Sequence, residues 1–166
     1  MTPKPPVPTE QRQKPRTPRA PEPQIENRKA RYSYEILDTI EAGIVLMGSE
    51  IKSIRAGNVS LREAYARFRD GELWLVNLHI PAYRAAALFG HEPRRDRKLL
   101  LHRNELIRLG IRIKEEGLAL VPLRLVFRRS MAKIVLGVGK GKKMWDKRRA
   151  IAERSAKGDI ARYARG

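Results

Sequence analysis

The chain has 166 residues, with 36 Lys and Arg against 18 Asp and Glu, a formal net charge of +18, and no Cys. That length predicts one domain with residues left over for tails, and the missing Cys excludes disulfides, thiolate metal sites and Cys nucleophiles. No apolar run approaches the ~20 residues of a membrane span. No apolar segment follows the N-terminal charges as a secretory signal requires, so the expected setting is intracellular and cytoplasmic. Neutralising phosphates releases condensed counterions, so so large a positive excess predicts a polyanionic partner. Nucleic acid leads. An anionic membrane surface would need a basic helix with a wide apolar face, and the sequence supplies none.

Eight of the eleven prolines lie between Pro3 and Pro23, set among Lys and Arg with almost no large apolar side chain. Such a segment cannot bury enough surface to offset its chain entropy. Residues 1–26 are therefore expected to be a disordered, Pro-rich basic arm. It is either a weak electrostatic arm or a passive tail.

Residues 27–139 carry the pattern of a β-rich domain. Tyr32 to Glu41 reads as a strand and Gly43 to Met47 as a second, while Glu50 to Arg55 fits either helix or strand. Ser60, with Glu63 at the capping-box position, predicts a short helical turn. The strongest local signal is Asp70-Gly71 between Tyr65–Arg69 and Glu72–Ile80. An Asp-Gly pair adopts the positive φ angles that a tight hairpin needs. Pro81 to Asp96 reads as a long loop ending in the basic cluster Arg94, Arg95, Arg97 and Lys98, with a short strand over Lys98–His102.

Leu106, Ile107, Leu109 and Ile113 fit a helix over Asn104–Glu116 that stops at Gly117, although Gly110 weakens it. Pro122 predicts a bulge or an edge. The alternation of Leu123, Leu125 and Phe127, and then of Ala132, Ile134 and Leu136, predicts a hairpin about Arg129-Ser130. Residues 140–166 hold ten positive and three negative side chains, a net +7. Their apolar stripe is thin, and a short helix so poorly anchored is marginal in water. A disordered tail that becomes helical against a partner is expected. Strands, one helix and further strands in a small chain predict a mainly β, partly closed barrel with embedded α-helices. An OB-fold-like barrel is one choice among several.

No catalytic constellation assembles. His79, His91 and His102 lack metal-ligand spacing, and each is better read as a structural or RNA-facing histidine. Glu41 and Glu50 are better read as ordinary surface carboxylates than as an acid–base pair. Gly137-Val-Gly-Lys-Gly-Lys-Lys143 lacks the gap and the Ser or Thr of a Walker loop. It fits an RNA-contacting hinge or a flexible linker. Trp145, with Asp146, Lys147 and Arg148, offers a ring that can stack on a base or pack back on the barrel.

Five stretches occur in order: Asn27-Arg-Lys-Ala-Arg-Tyr32, Glu41-Ala-Gly-Ile-Val-Leu46, Gly48-Ser-Glu-Ile-Lys-Ser-Ile-Arg-Ala-Gly57, Lys98-Leu-Leu-Leu-His102 and Gly139-Lys-Gly-Lys-Lys-Met-Trp-Asp-Lys-Arg148. Together they resemble the SsrA-binding proteins (small protein B) of bacterial trans-translation. The resemblance implies an OB-type barrel that binds the tRNA-like end of transfer-messenger RNA and carries it to a stalled ribosome. It implies no catalytic residue, no cofactor and no metal, and a monomer when free. By position, the RNA-binding face would include Asn27, Glu41, Leu100 and Lys133, with Lys140, Lys142 and Lys143 along the start of the tail. Asp146, Lys147 and Arg148 would reach the decoding region of the ribosome as the tail folds in the mRNA path. Trp145 would join them by stacking, an expectation particular to this sequence. Glu41 is an acid facing a polyanion, which is sensible if it accepts hydrogen bonds from a base edge or orders nearby basic side chains.

Overall fold

The computed structural model describes residues 22–86 and 90–163. The chain runs β1 (Ile25–Glu26), α1 (Arg28–Ser33), β2 (Tyr34–Ile44), α2 (Gly48–Arg55), β3 (Tyr65–Arg69) and β4 (Glu72–Val76). After a 3-10 turn at Arg84–Ala86 come β5 (Arg97–Leu100), α3 (Arg103–Glu116), β6 (Ala119–Arg128), β7 (Met131–Gly141) and α4 (Met144–Tyr163). All strand pairings are antiparallel, in the order β6-β3-β4-β5-β2-β7, and β7 returns to β6. The sheet thus closes into a six-stranded ring, with β1 added beside β6. The closing contacts are short, β2 meeting β5 at Gly43 and Ile44 and β3 meeting β6 at Ala66. This is the expected mainly β, OB-fold-like barrel with embedded helices.

Alternation along the strands sends Ala42, Ile44, Leu73, Leu75, Leu99, Leu125, Ile134, Leu136 and Val138 inward. Ile54 of α2, Leu109 of α3, and Leu61, Leu78 and Ile80 of the connections complete that core. Each fully buried aliphatic side chain contributes ~1.5–3 kcal/mol. β6 departs from simple alternation, because Val121 and Leu123 are covered from outside by Ala30 of α1 with Tyr34 and Ile36 of β2.

Local turn chemistry matches the sequence closely. Asp70 (φ 52°) and Gly71 (φ 74°) make the first hairpin, and Arg129 (φ 51°) and Ser130 (φ 66°) make the second. Gly117 ends α3 in the left-handed conformation, and α3 runs unbroken through Gly110. The ladder between β6 and β7 shifts register between Pro122 and Arg124, the bulge that a proline without an N–H imposes.

Several expectations are corrected. The two strands expected over Tyr32–Glu41 and Gly43–Met47 are one strand, β2, which ends at Ile44. It bulges between Ile36 and Asp38 but stays paired with β7 from Tyr34 to Gly43. Residues 50–55 are helical, in α2. Ser60 caps no helix. Its backbone exchanges hydrogen bonds with His79 at 3.0 and 3.3 Å. β4 ends at Val76, since Asn77 (φ 59°) turns the chain out of the ladder.

Gly137 to Gly141 is neither hinge nor linker but the end of β7. A Cβ at Gly139 would lie 2.0 Å from the Glu35 carbonyl oxygen, and one at Gly137 would lie 2.9 Å from Ile36 Cδ1. Those glycines let β2 and β7 approach. The expected domain edges at 26/27 and 139/140 therefore each fall beside paired residues: β1 precedes Asn27, and Lys140 and Gly141 still pair with Glu35 and Tyr34. Where the sequence suggests a tail helical only against a partner, Met144–Tyr163 forms α4. Residues 1–21 of the Pro-rich arm and 87–89 of the long loop lie outside the described residues.

Candidate nucleic-acid interface

Three of the seven expected RNA-binding residues meet on the outer face of the barrel. In the ladders, Gly43 of β2 lies opposite Leu100 of β5 on one side and Lys133 of β7 on the other. Glu41 lies one pleat away on the same face, since Ala42 and Ile44 point into the core. The Glu41 carboxylate accepts from Arg128 Nε at 3.0 Å and lies 3.6 Å from Lys133 Nζ. Both partners are partly exposed, so the pairs add little stability. What they do is hold two cations in place beside Leu100, an exposed apolar side chain at 52%. Glu41 thus pairs with two basic neighbours on this face.

Arg128 is absent from the residues anticipated on this face. In sequence it is one basic residue beside a hairpin turn. Only closure of β7 onto both β2 and β6 brings it to Glu41, 87 residues away.

Asn27 differs from the expectation. It is 6% exposed, and its side chain is occupied inside the fold. The amide donates to the carbonyls of Leu61 and Pro122, each at 3.0 Å, and its oxygen accepts from the Ala30 N–H at 3.3 Å. It caps α1 and ties that helix to β6, and it also lines the open cavity that Lys29, Arg62 and Lys142 share.

Lys140, Lys142 and Lys143 lie at the far end of the β2–β7 pair. Lys140 is seven residues along β7 from Lys133, about 23 Å of strand. Lys142 is fastened to α1, with its N–H on the Ser33 carbonyl at 2.9 Å and its Nζ on the Arg31 carbonyl at 3.3 Å. Lys142 and Lys147 join Lys29, Arg62, Tyr34 and Tyr65 around an open cavity of about 450 Å³. This second basic region lies at the root of α4. Trp145 and Asp146 are in the first turn of that helix, but their side chains lie outside the described residues. Arg148 is exposed.

The basic cluster after Pro93 divides, with Arg94 exposed and Arg95 and Arg97 turned inward. Arg97 is fully buried and Arg95 turns inward, both onto the buried Glu50. Lys98 pairs with Glu72. Glu50 is thus not the ordinary surface carboxylate expected. His91 is also internal, with Nε2 2.9 Å from the Ile80 carbonyl and Nδ1 3.0 Å from Ser49 Oγ. Among the described residues no group of His, Asp and Glu is arranged to hold a metal, and no helix is long and apolar enough to cross a membrane.

The model of the family described as "SmpB protein" matches residues 24–166. The SsrA-binding protein of Desulforudis audaxviator is 52% identical over 141 residues, covering 85% of this chain and 92% of the relative. That of Synechococcus sp. (strain JA-3-3Ab) is 54% identical over 143 residues, covering 86% and 93%. The SsrA-binding protein of Staphylococcus aureus (strain Newman) is 52% identical over 137 residues, covering 82% and 89%. Among solved structures, a chain from "tmRNA-SmpB: a journey to the center of the bacterial ribosome" superimposes with a TM-score of 0.63 at 52% identity, over 74% of this chain and 86% of that one. With 86% or so of its length matched in sequence and the barrel matched in space, this chain belongs to the SmpB protein family.

Proposed function

We propose that this protein is an RNA-binding adaptor that binds the tRNA-like domain of transfer-messenger RNA and delivers it to stalled ribosomes for trans-translation. The observation that carries the reading is the patch on the barrel where Glu41 holds Arg128 and Lys133 beside the exposed Leu100. Fixed cations take phosphates, and an apolar side chain between them takes a base or ribose, the combination that reads folded RNA by shape and unstacked bases. Lys140, Lys142 and Lys143 extend the basic surface toward the tail. Asn27 serves the face indirectly, by holding α1 on the barrel.

The tail supplies the ribosomal part. Residues 140–166 carry a net +7, and α4 within them has little apolar stripe, which suits a helix whose partner is ribosomal RNA along the mRNA path. Trp145, Asp146, Lys147 and Arg148 would meet the decoding region there, with charge for phosphates and a ring for stacking. The role is that of a cytoplasmic binding protein without a reaction of its own, monomeric when free.

The test is competitive binding of labelled transfer-messenger RNA against excess bulk tRNA, with the full chain and with a chain ending after Lys143. That end point leaves β7 whole, whereas ending after Gly139 would remove its pairing with Tyr34 and Glu35. Competitor-resistant binding by both is expected, with peptide tagging lost in the shortened chain. Binding that bulk tRNA erases would mean generic basic affinity, as in a structural ribosomal-type protein.

A further inference from the structure

A second cavity, of about 670 Å³, opens between the end of α2 and the chain that follows β4, lined by residues 53, 56–60, 79 and 81–84. It shares no residue with the patch at Glu41 and none with the cavity at the root of α4. The length of β4 separates it from Leu100, since Leu99 pairs with Leu73 near the start of that strand and His79 lies beyond its end at Val76. Its walls are fixed from within. Ser60 and His79 exchange backbone hydrogen bonds, Ser53 Oγ donates to the Pro81 carbonyl at 2.8 Å, and the Asn58 N–H donates to the Ser53 carbonyl at 3.3 Å. Lys52 Nζ sits 5.7 Å from the centre of the Tyr83 ring, a cation–π contact that steadies both.

The lining carries no Asp or Glu. Arg84 lies in it and Lys52 stands at Tyr83, and among the described residues neither cation has an acidic partner. The side chains of Asn58, Ser60 and His79 likewise form no hydrogen bond among the described residues, so their donors and acceptors are open to a base edge. Val59, Pro81 and Tyr83 supply apolar surface on which a base can lie. The volume is ordinary for a small-ligand site, and walls already fixed lower the cost of binding. We infer that this cavity takes one unstacked nucleotide of RNA. Its base lies against Tyr83 and Pro81 with its edge on Asn58, Ser60 and His79, and its phosphate meets Arg84 and Lys52. Transfer-messenger RNA and ribosomal RNA both offer that chemistry. The inference rests on the RNA-binding reading above and adds a contact away from the Glu41 face.

The chain has no Cys, so Ala82→Cys places a single thiol on the exposed rim of the cavity. Its alkylation by iodoacetamide is timed in the free full chain, with transfer-messenger RNA, and with that RNA on stalled ribosomes. A severalfold slowing is expected, and the sample in which it first appears names the RNA that supplies the nucleotide. An equal rate in all three overturns the site. In the sample that protects the thiol, Tyr83→Ala should weaken binding roughly tenfold, the worth of one stacked base, and Arg84→Ala severalfold. Arg84 is exposed, so Arg84→Ala should melt with wild type, and it decides if Tyr83→Ala melts lower. Protection of the thiol with no loss in Arg84→Ala means a surface merely covered nearby and overturns the site. Wild-type protein stripped from labelled transfer-messenger RNA by bulk tRNA would sink the adaptor reading and the site together. A selective wild type whose thiol reacts equally fast in every sample sinks the site alone.

Discussion

Replacing Glu50 by Gln, a change of one atom type with almost no change in shape, should cost this barrel a large share of its stability. The Glu50 carboxylate, fully buried under α2, accepts from the Met47 N–H at 2.8 Å, from Arg95 Nε at 2.8 Å and Nη2 at 2.6 Å, and from Arg97 Nε at 2.9 Å. Arg97 is equally buried. It also donates to the carbonyls of Leu78 and Arg95, at 2.8 and 2.9 Å, and to that of Pro93 at 3.3 Å. Burial by itself pushes the Glu50 carboxyl up. Hydrogen bonds from Arg95 and the Met47 N–H, with the Arg97 charge, outweigh it and hold the carboxyl below its ordinary value. Burial lowers Arg97, and Glu50 partly offsets that.

Glutamine keeps the volume but leaves the Arg97 guanidinium buried without its counter-charge. Breaking one partner of such a pair costs ~3–5 kcal/mol. At about 3 °C per kcal/mol for a domain of this size, the melting temperature should drop by roughly 10 °C at neutral pH, read by circular dichroism and checked by urea unfolding. Because the folded-state pKa of Glu50 is depressed, its contribution is complete above the unfolded value of ~4.3. It is lost as pH falls through the folded value. The gap between wild type and variant should therefore be constant from neutral pH down to about 5 and narrow below about 4. A variant melting within ~3 °C of wild type at neutral pH, equivalent to ~1 kcal/mol, would refute the claim that this charge compensates Arg97. A gap that does not narrow in acid would refute the pKa argument.

Glu41→Ala should change stability by less than ~1 kcal/mol, because both of its ion pairs are part-exposed. It should nonetheless weaken selective binding of transfer-messenger RNA in a competition assay; unchanged binding would show that the acid does not place its cations. Arg128→Ala and Lys133→Ala should each reduce the slope of log affinity against log salt by about 1, and a slope equal to wild type would remove that residue from the phosphate contacts. Gly139→Ala must open the β2–β7 ladder around the Glu35 carbonyl. A loss of about 3 kcal/mol or more is expected, and an unshifted urea midpoint would contradict the packing. Asn27→Ala should cost about 2 kcal/mol, by removing the amide's bonds to the Leu61 and Pro122 carbonyls and leaving α1 uncapped. RNA affinity measured at a temperature where the variant is fully folded should match wild type, and a specific loss there would restore Asn27 as a direct contact.

The features legible in the chain are those that a few consecutive residues decide. Asp70-Gly71 carries its hairpin because two adjacent residues with positive φ reverse the chain without help from afar. Gly117 ends α3 and Pro122 breaks the β6 ladder for equally local reasons, and the alternation from Leu125 to Leu136 follows from the two-residue period of a strand, whereas Leu123 faces the outer cluster. The order of five motifs likewise carries the family, and with it Glu41, Leu100 and Lys133.

The assembly of those residues into a site was not legible, because it depends on which strands become neighbours. Gly43, Leu100 and Lys133 form one row only when β5 and β7 flank β2, and Arg128 reaches Glu41 only when the ring closes. The same closure sends Arg95, Arg97 and Glu50 inward, although in sequence Glu50 reads as a surface carboxylate and the two arginines as a basic cluster at the end of a loop. It also turns Asn27, which the motif marks as a contact, into a buried brace. Strand order and barrel closure are set by the total apolar surface buried, a property of the whole chain. Local sequence determines turns, caps and periods, and tertiary structure determines which charges face RNA and which face one another.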